Sequence, residues 1–176
     1  QMEALDRRAD LIPGTVEAVA EFRKRGLKVG SSSGYTREMM NLLTEKARKL
    51  GYEPDACVAA TEVPAGRPQP WMCFQNAMIL QVYPMEACVK IGDTLADIYE
   101  GLNAGMWTIG LAKTGNEIGC TEEEIRSVEP RLLEQRLAKA YHRMAHAGAH
   151  YVVDGIADVP PLLDDINARL STGERP

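Results

Sequence analysis

The sequence predicts an α/β protein with a three-layer, Rossmann-like parallel sheet and helices on both faces. Three observations support this fold class. Short apolar runs alternate with helical patterns at least four times along the 176 residues. Some of these runs end in polar residues. In open α/β sheets, ligands bind at the carboxyl ends of the strands, where such residues are expected. The alternation also favours right-handed crossovers, which place all strands parallel.

The first part of the chain contains two predicted strands, each reached through a helix or turn. Gly26 ends the first helical pattern, and Thr36 is a suitable N-cap for the second helix. Prolines in the loop that carries Arg67 restrict the positions this side chain can take. The predicted elements are a helix over 16–26, a strand over 27–33, a helix over 37–51, a strand over 56–60 and a loop over 61–71.

The second part continues the alternation. The predicted elements are a helix over 72–80, a strand over 88–91, a helix over 97–105, a strand over 107–112, a helix start at 121–124, a helix over 131–147, a strand over 150–154 and a helix over 159–170. No internal repeat interrupts them, so the length predicts one domain.

Composition and charge exclude several classes of protein. The net charge is −5 and the isoelectric point is near 5.3, which argues against a nucleic-acid partner because phosphate backbones need a basic face. No apolar run is long enough for a membrane span. The four cysteines form no Cys-x-x-Cys pair and suggest reduced thiols in a cytoplasmic protein.

The chain is organised around residues 87–98, which read as strand, acidic turn and helix. Gly92 ends the strand and Asp93 follows where ligands bind in open α/β sheets; Asp97 comes four residues later. Carboxylate oxygens at such a place suit Mg²⁺, which takes one or two carboxylates and a substrate phosphate. The alternative is a capping box in which Thr94 is the N-cap and Asp97 serves the first turn.

Three polar clusters follow three successive predicted strands. They are the turn at 31–34, the loop that bears Arg67, and the pair Asp93 and Asp97. Turn N–H groups and hydroxyls hold phosphate oxygens, and an arginine fork matches a phosphoryl group. Carboxylates hold the metal that offsets the charge. Together the clusters indicate phosphoryl chemistry.

This order of motifs resembles the haloacid dehalogenase superfamily. Ser33 matches its second motif, Arg67 its third, and Gly92, Asp93 and Asp97 its fourth. Within the superfamily the closer resemblance is to the phosphonoacetaldehyde hydrolase family. It is carried by residues 34–40, 63–68, 70–73, 91–94 and 104–108.

The resemblance implies a Mg²⁺-dependent hydrolase that cleaves a carbon–phosphorus bond of a small organophosphonate through a Schiff base and an aspartyl phosphate. It implies that Ser33, Gly34 and Arg67 hold the phosphoryl oxygens. Asp93 would bind Mg²⁺, and Asp97 would be a ligand or stand next to the metal's shell. Tyr35 either edges the pocket or is simply a packed aromatic at a helix start. The family also implies a homodimer.

The resemblance is incomplete. The first motif, a strand with the nucleophilic aspartate, and the cap domain with the Schiff-base lysine have no match in the sequence. We therefore expect residues 1–10 to be the tail of the last cap helix and 11–176 a core domain without its first strand. The nucleophile and the lysine would lie upstream, and the chain alone would be inactive. A general Mg²⁺-dependent phosphatase of the superfamily and a non-catalytic phosphate-binding fragment remain as alternatives.

Overall fold

The computed structural model describes residues 10–114, 117–119 and 127–176. Strands and helices alternate through these residues as predicted. The strands are β1 (Gly30–Ser33), β2 (Ala56–Ala59), β3 (Val89–Gly92), β4 (Trp107–Leu111) and β5 (Tyr151–Val153). The α-helices are α1 (Thr15–Lys24), α2 (Arg37–Lys49), α3 (Trp71–Leu80), α4 (Leu95–Asn103), α5 (Pro130–His146) and α6 (Leu162–Ser171).

All strand pairs are parallel, but they form two separate pieces of sheet. One piece pairs β1 with β2, and Ser33 stands opposite Ala59. The other has the order β3–β4–β5, and Gly92 stands opposite Gly110. Among the described residues no strand pairs with the second edge of β1 or of β3. The fold class is confirmed, with a sheet divided between these two strands.

Helices cover both faces, because alternate residues of the central strand β4 point to opposite sides. Trp107, Ile109 and Leu111 pack in one core with buried residues of α1 and α6. Gly110 faces the other side, where Met144 of α5 lies so close that a Cβ on the glycine would come within 2.6 Å of its sulfur. The arrangement is the three-layer one that the alternation predicts.

Element boundaries differ from the predicted ones at several ends. The strand expected over 27–33 begins only at Gly30, where pairing with Ala56 starts. The last helix begins at residue 162 rather than 159, because a 3₁₀ turn over Ile156–Asp158 and two prolines precede it. Thr36 caps α2 as expected, accepting a hydrogen bond from the Met39 N–H. The predicted helix start at 121–124 and the expected cap-helix tail, apart from residue 10, lie outside the described residues.

A cleft of about 1130 Å³ separates the two pieces of sheet. Gly30 to Ser32 line it on one side and Val89 to Asp93 on the other. Arg67 and Asp97 also line it. Members of all three polar clusters therefore line one cavity between the pieces of sheet, although Ser33 and Gly34 are not among its lining residues. In the described ranges no helix is long and apolar enough to cross a membrane.

We expect a protein that consists of residues 1–176 only to self-associate and to unfold in a broad transition. The reason is that, within the described part of the chain, no strand pairs with the cleft-facing edges of β1 and β3, and exposed strand edges invite further pairing. Light scattering and thermal unfolding followed by circular dichroism measure both properties. A monomer with a sharp, concentration-independent transition would contradict this expectation.

Candidate active site

The second motif forms a tight turn at the carboxyl end of β1. Ser33 ends the strand, and its hydroxyl oxygen accepts a hydrogen bond from the Tyr35 N–H at 3.2 Å. The Tyr35 carbonyl accepts from the Ala60 N–H, which ties the turn to the end of β2. Tyr35 is 44% exposed, so it is not packed into the core. The turn thus presents backbone and hydroxyl groups at the edge of the sheet.

Arg67 lies in a loop that is anchored at both ends. Near its start, Glu62 accepts a hydrogen bond from the Ala59 N–H and pairs with Arg37. Near its end, the Asn103 side chain of α4 donates to the Pro68 carbonyl at 2.8 Å. These contacts fix the backbone on either side of Arg67. The expectation that the loop restricts Arg67 therefore has a structural basis beyond its prolines.

The Arg67 guanidinium joins the second motif to the fourth. A Cβ placed on Gly34 would lie 3.9 Å from Arg67 Nη2, so the guanidinium passes close to the turn. Arg67 Nη1 donates to Asp97 Oδ1 in an ion pair. The structure thus brings together Gly34, Arg67 and Asp97, which lie far apart in the sequence. Their proposed roles toward a phosphoryl group stay predictions.

Asp97 is also the partner of the helix cap. Its Oδ2 accepts from the Thr94 N–H at 3.2 Å and from the Thr94 hydroxyl at 2.6 Å, and Thr94 accepts from the Asp97 N–H. The capping box is therefore present, together with the ion pair to Arg67. Gly92 makes room for this arrangement, since a Cβ at that position would fall 2.2 Å from Asp97 Cβ.

The surroundings of Asp97 favour its ionised form. Burial alone would raise the pKa of its carboxyl group. The Lys90 ammonium, the Thr94 hydroxyl and the Arg67 guanidinium outweigh burial, and they hold the pKa below its ordinary value. Asp97 is therefore a fixed anion that orients Arg67 from within the protein.

Two charged residues that the sequence analysis did not single out complete the cluster. Lys90 is in the middle of β3, where its ammonium donates to Glu100 Oε2 and, at 2.7 Å, to the Ser32 hydroxyl. Glu100 is fully buried on α4. The sequence signalled only that each needs a partner, because a lysine in a predicted buried strand and a glutamate three residues after Asp97 are seldom buried unpaired; it did not signal that they pair with each other.

The acidic residues fit a metal only in part. Asp93 follows β3 and lines the cleft, where a carboxylate, waters and phosphate oxygens would satisfy Mg²⁺. Asp97 Oδ2 accepts a hydrogen bond from Thr94, and Asp97 Oδ1 pairs with Arg67 and Lys90. Asp97 is therefore better suited to stand next to the metal than to be its ligand. No group of three or more His, Cys, Asp or Glu side chains that could hold a metal occurs within the described residues.

Cys73 lies beside the same cluster and lines the cleft. Burial raises the pKa of its thiol to about 12. The thiolate is the reactive form of cysteine, so Cys73 is a packing residue at neutral pH rather than a nucleophile.

Comparison with known proteins assigns the chain to a family. The family model of the haloacid dehalogenase-like hydrolases matches residues 1–105. The chain therefore belongs to the haloacid dehalogenase-like hydrolases.

Individual relatives of the chain give a more detailed comparison than the family model. A phosphonoacetaldehyde hydrolase-like protein of Syntrophobacter fumaroxidans is 56% identical over 168 residues, which cover 96% of this chain and 61% of that protein. A phosphonoacetaldehyde hydrolase of Nitratidesulfovibrio vulgaris is 51% identical, over 94% of this chain and 59% of that protein. The crystal structure of a phosphonoacetaldehyde hydrolase-like protein from Oleispira antarctica superposes with a TM-score of 0.96 at 39% identity, and the match covers 99% of this chain and 63% of that one. The chain thus spans about three fifths of the length of these relatives.

Replacing Asp97 by asparagine should lower stability and flatten its dependence on acidic pH. The pKa of Asp97 is depressed in the folded state, so its contribution is present above the unfolded pKa, about 4, and is lost as pH falls through the folded value. We expect Asp97→Asn to cost roughly 3 kcal/mol near neutral pH, since it leaves buried cations underpaired. Urea unfolding between pH 7 and acidic pH measures both effects.

The matched control is Asp164→Asn. It removes a carboxylate that pairs with Arg25 on the surface, with the Asp164 side chain 70% exposed. Such pairs contribute little, so this variant should unfold almost as the wild type does. An Asp97→Asn protein that unfolds like the control would show that the ion pairs of Asp97 do not contribute to the free energy of unfolding.

Proposed function

We propose that this chain carries the phosphoryl-binding part of a phosphonoacetaldehyde hydrolase, which converts phosphonoacetaldehyde and water to acetaldehyde and phosphate. The observation that carries the proposal is the Arg67–Asp97 ion pair beside the Gly34 turn, at the carboxyl edge of a parallel sheet. A relative at 51% identity that bears this enzyme's name, and one at 56% identity that is named as similar to it, support the choice of substrate.

Arg67 would bind the phosphoryl group by its outward-facing donors. Asp97 holds Nη1 and Nε faces Glu100, which leaves the Nη2 donors on the Gly34 side to contact phosphoryl oxygens. The Ser33 hydroxyl and the Gly34 N–H would contribute from the neighbouring turn. Because Asp97 fixes the guanidinium before substrate arrives, little entropy would be lost on binding.

Asp93 would hold Mg²⁺ at the end of β3. Mg²⁺ supplies charge neutralisation to the phosphoryl group when bound. Asp97 would act through Arg67 and the Thr94 cap instead. Tyr35, exposed next to Ser33, would edge the substrate pocket.

Two groups of the proposed reaction have no candidate among the residues described above. They are the carboxylate that attacks phosphorus and the lysine that forms a Schiff base with the aldehyde. The iminium would accept the electron pair of the breaking carbon–phosphorus bond and become an enamine, which takes up a proton and is hydrolysed to acetaldehyde and the free lysine. A second water would release phosphate from the carboxylate. We place both groups in the part of the relatives' length that this chain does not span. On this proposal residues 1–176 alone do not turn over substrate. The homodimer implied by the resemblance also stays a proposal.

The direct test is turnover by the natural-length protein, by which we mean this chain together with the segment that its relatives have in addition. We expect acetaldehyde and phosphate to form from phosphonoacetaldehyde in equal amounts, only with Mg²⁺ present. Asp93→Asn should raise the Mg²⁺ concentration needed or abolish turnover while circular dichroism stays unchanged. The matched control is Asp158→Asn, which should leave turnover and its Mg²⁺ dependence unchanged. Asp158 has a structural contact instead: it caps a 3₁₀ turn by accepting a hydrogen bond from the Gly155 N–H.

Two outcomes would contradict the proposal. One is efficient hydrolysis of phosphate monoesters without cleavage of phosphonoacetaldehyde, which would identify a general phosphatase. The other is phosphate binding with no turnover of either substrate class, which would identify a binding module. An Asp93→Asn protein with unchanged Mg²⁺ dependence would remove Asp93 from the metal site.

A further inference from the structure

Lys90 and Glu100 are buried charges to which the proposed reaction gives no role. Lys90 is 8% exposed and Glu100 is not exposed at all. Burying an ion pair is seldom the most stable choice, since apolar residues of similar volume often do as well. Their place directly behind Arg67 and Asp97 therefore calls for an explanation other than stability.

The backbone is shaped to bring the two residues together. Gly101, next to Glu100 on α4, packs so closely against the sheet that no room remains for a side chain. A Cβ there would fall 2.5 Å from Thr108 Cγ2 and 2.7 Å from Lys90 Cβ. The missing side chain thus lets α4 approach β3 and β4 closely, which places the Glu100 carboxylate against the Lys90 ammonium.

The four charges contact one another in alternation. Asp97 Oδ1 accepts from Arg67 and lies 3.4 Å from Lys90 Nζ. Glu100 Oε2 pairs with Lys90 and lies 4.0 Å from Arg67 Nε. Each anion therefore faces both cations, and the four charges sum to zero. The second carboxylate oxygen, Glu100 Oε1, is buried and makes no hydrogen bond within the described residues.

We propose that Lys90 and Glu100 are positioning residues that hold the Arg67 guanidinium in the orientation needed to bind a phosphoryl group. This inference rests on the proposed phosphoryl-binding role of Arg67. Without Lys90, the unpaired Glu100 carboxylate would attract Arg67 inward. Without the Glu100 charge, Lys90 would turn fully to Asp97 and compete with Arg67 for it. Either loss moves the guanidinium away from the ligand.

The pair also sets the spacing across the cleft. Lys90 Nζ donates to the Ser32 hydroxyl, and that hydroxyl lies 3.3 Å from Glu100 Oε2. Ser32 belongs to β1, whereas Lys90 belongs to β3. The pair therefore links the piece of sheet that carries the Ser33–Gly34 turn to the piece that carries Asp93.

The test is a double-mutant cycle on the natural-length protein, with inorganic phosphate as the ligand and calorimetric titration as the measurement. We expect Lys90→Met and Glu100→Gln each to weaken phosphate binding by about tenfold. The double variant should bind phosphate better than either single variant, because it removes both uncompensated charges together. If Lys90→Met does not fold, the isosteric Glu100→Gln still decides the question against wild type.

Thr108→Val is the matched control for lost stability. Thr108 is fully buried beside Gly101, and its hydroxyl bonds to His150 rather than to the charged cluster. The control should be less stable but should keep wild-type phosphate affinity. Single variants whose phosphate affinity equals that of the control would overturn the inference, and so would losses that simply add in the double variant.

The outcomes separate this inference from the proposed reaction. Weakened phosphate binding in the variants, with no phosphonoacetaldehyde turnover in wild type, would support the positioning role and contradict the reaction. Turnover in wild type, with unchanged phosphate affinity in the variants, would contradict the positioning role alone. Wild-type protein that neither binds phosphate nor turns over phosphonoacetaldehyde would contradict both.

Discussion

The ion pair between Arg67 and Asp97 is the contact on which the candidate site depends. Arg67 belongs to the loop that follows β2, and Asp97 belongs to the helix packed on β3 and β4. The pair therefore joins elements from the two pieces of sheet at the carboxyl edge. Lys90 and Ser32 make a second polar link across the cleft, while α1 and α6 join the pieces through the apolar core on the opposite face. Any shift between the two pieces would change the distance between the phosphate-binding turn and the acidic residues.

Electrostatics explains why the site needs more than arginine. The four charges of Arg67, Lys90, Asp97 and Glu100 balance one another, so a phosphoryl group brings uncompensated negative charge into the cleft. Asp93 adds a further carboxylate at its edge. A divalent cation there would offset the negative charges of the phosphoryl group and of Asp93. This is the physical reason for assigning Mg²⁺ to Asp93. The same balance makes Asp97 a poor metal ligand, since its oxygens already serve two cations and a helix cap.

The sequence predicted the order of elements because parallel strands and amphipathic helices leave strong, local patterns. It also predicted the meeting of Gly34, Arg67 and Asp97, since the ends of parallel strands share one edge. Asp97 was ambiguous between a Mg²⁺ site and a capping box. The structure shows the capping box, together with an ion pair to Arg67, and a role toward the metal stays a prediction. Lys90 and Glu100 were missed because their pairing depends on how closely α4 lies on the sheet. That distance is set by Gly101, and no periodicity reveals it. The late start of β1 at Gly30 likewise depends on pairing with Ala56, which is a tertiary contact.

The most direct measurement of the central claim is the affinity for inorganic phosphate of Arg67→Lys in the natural-length protein. Lysine keeps the charge but lacks the planar fork, so it cannot reproduce the geometry in which one guanidinium pairs with Asp97 and contacts a phosphoryl group bidentately. Arg23→Lys, at the opposite end of the strands near Asp55, is the control. The account predicts that Arg67→Lys binds phosphate about tenfold more weakly, with the control unchanged. Equal phosphate affinity in wild type and Arg67→Lys would contradict it.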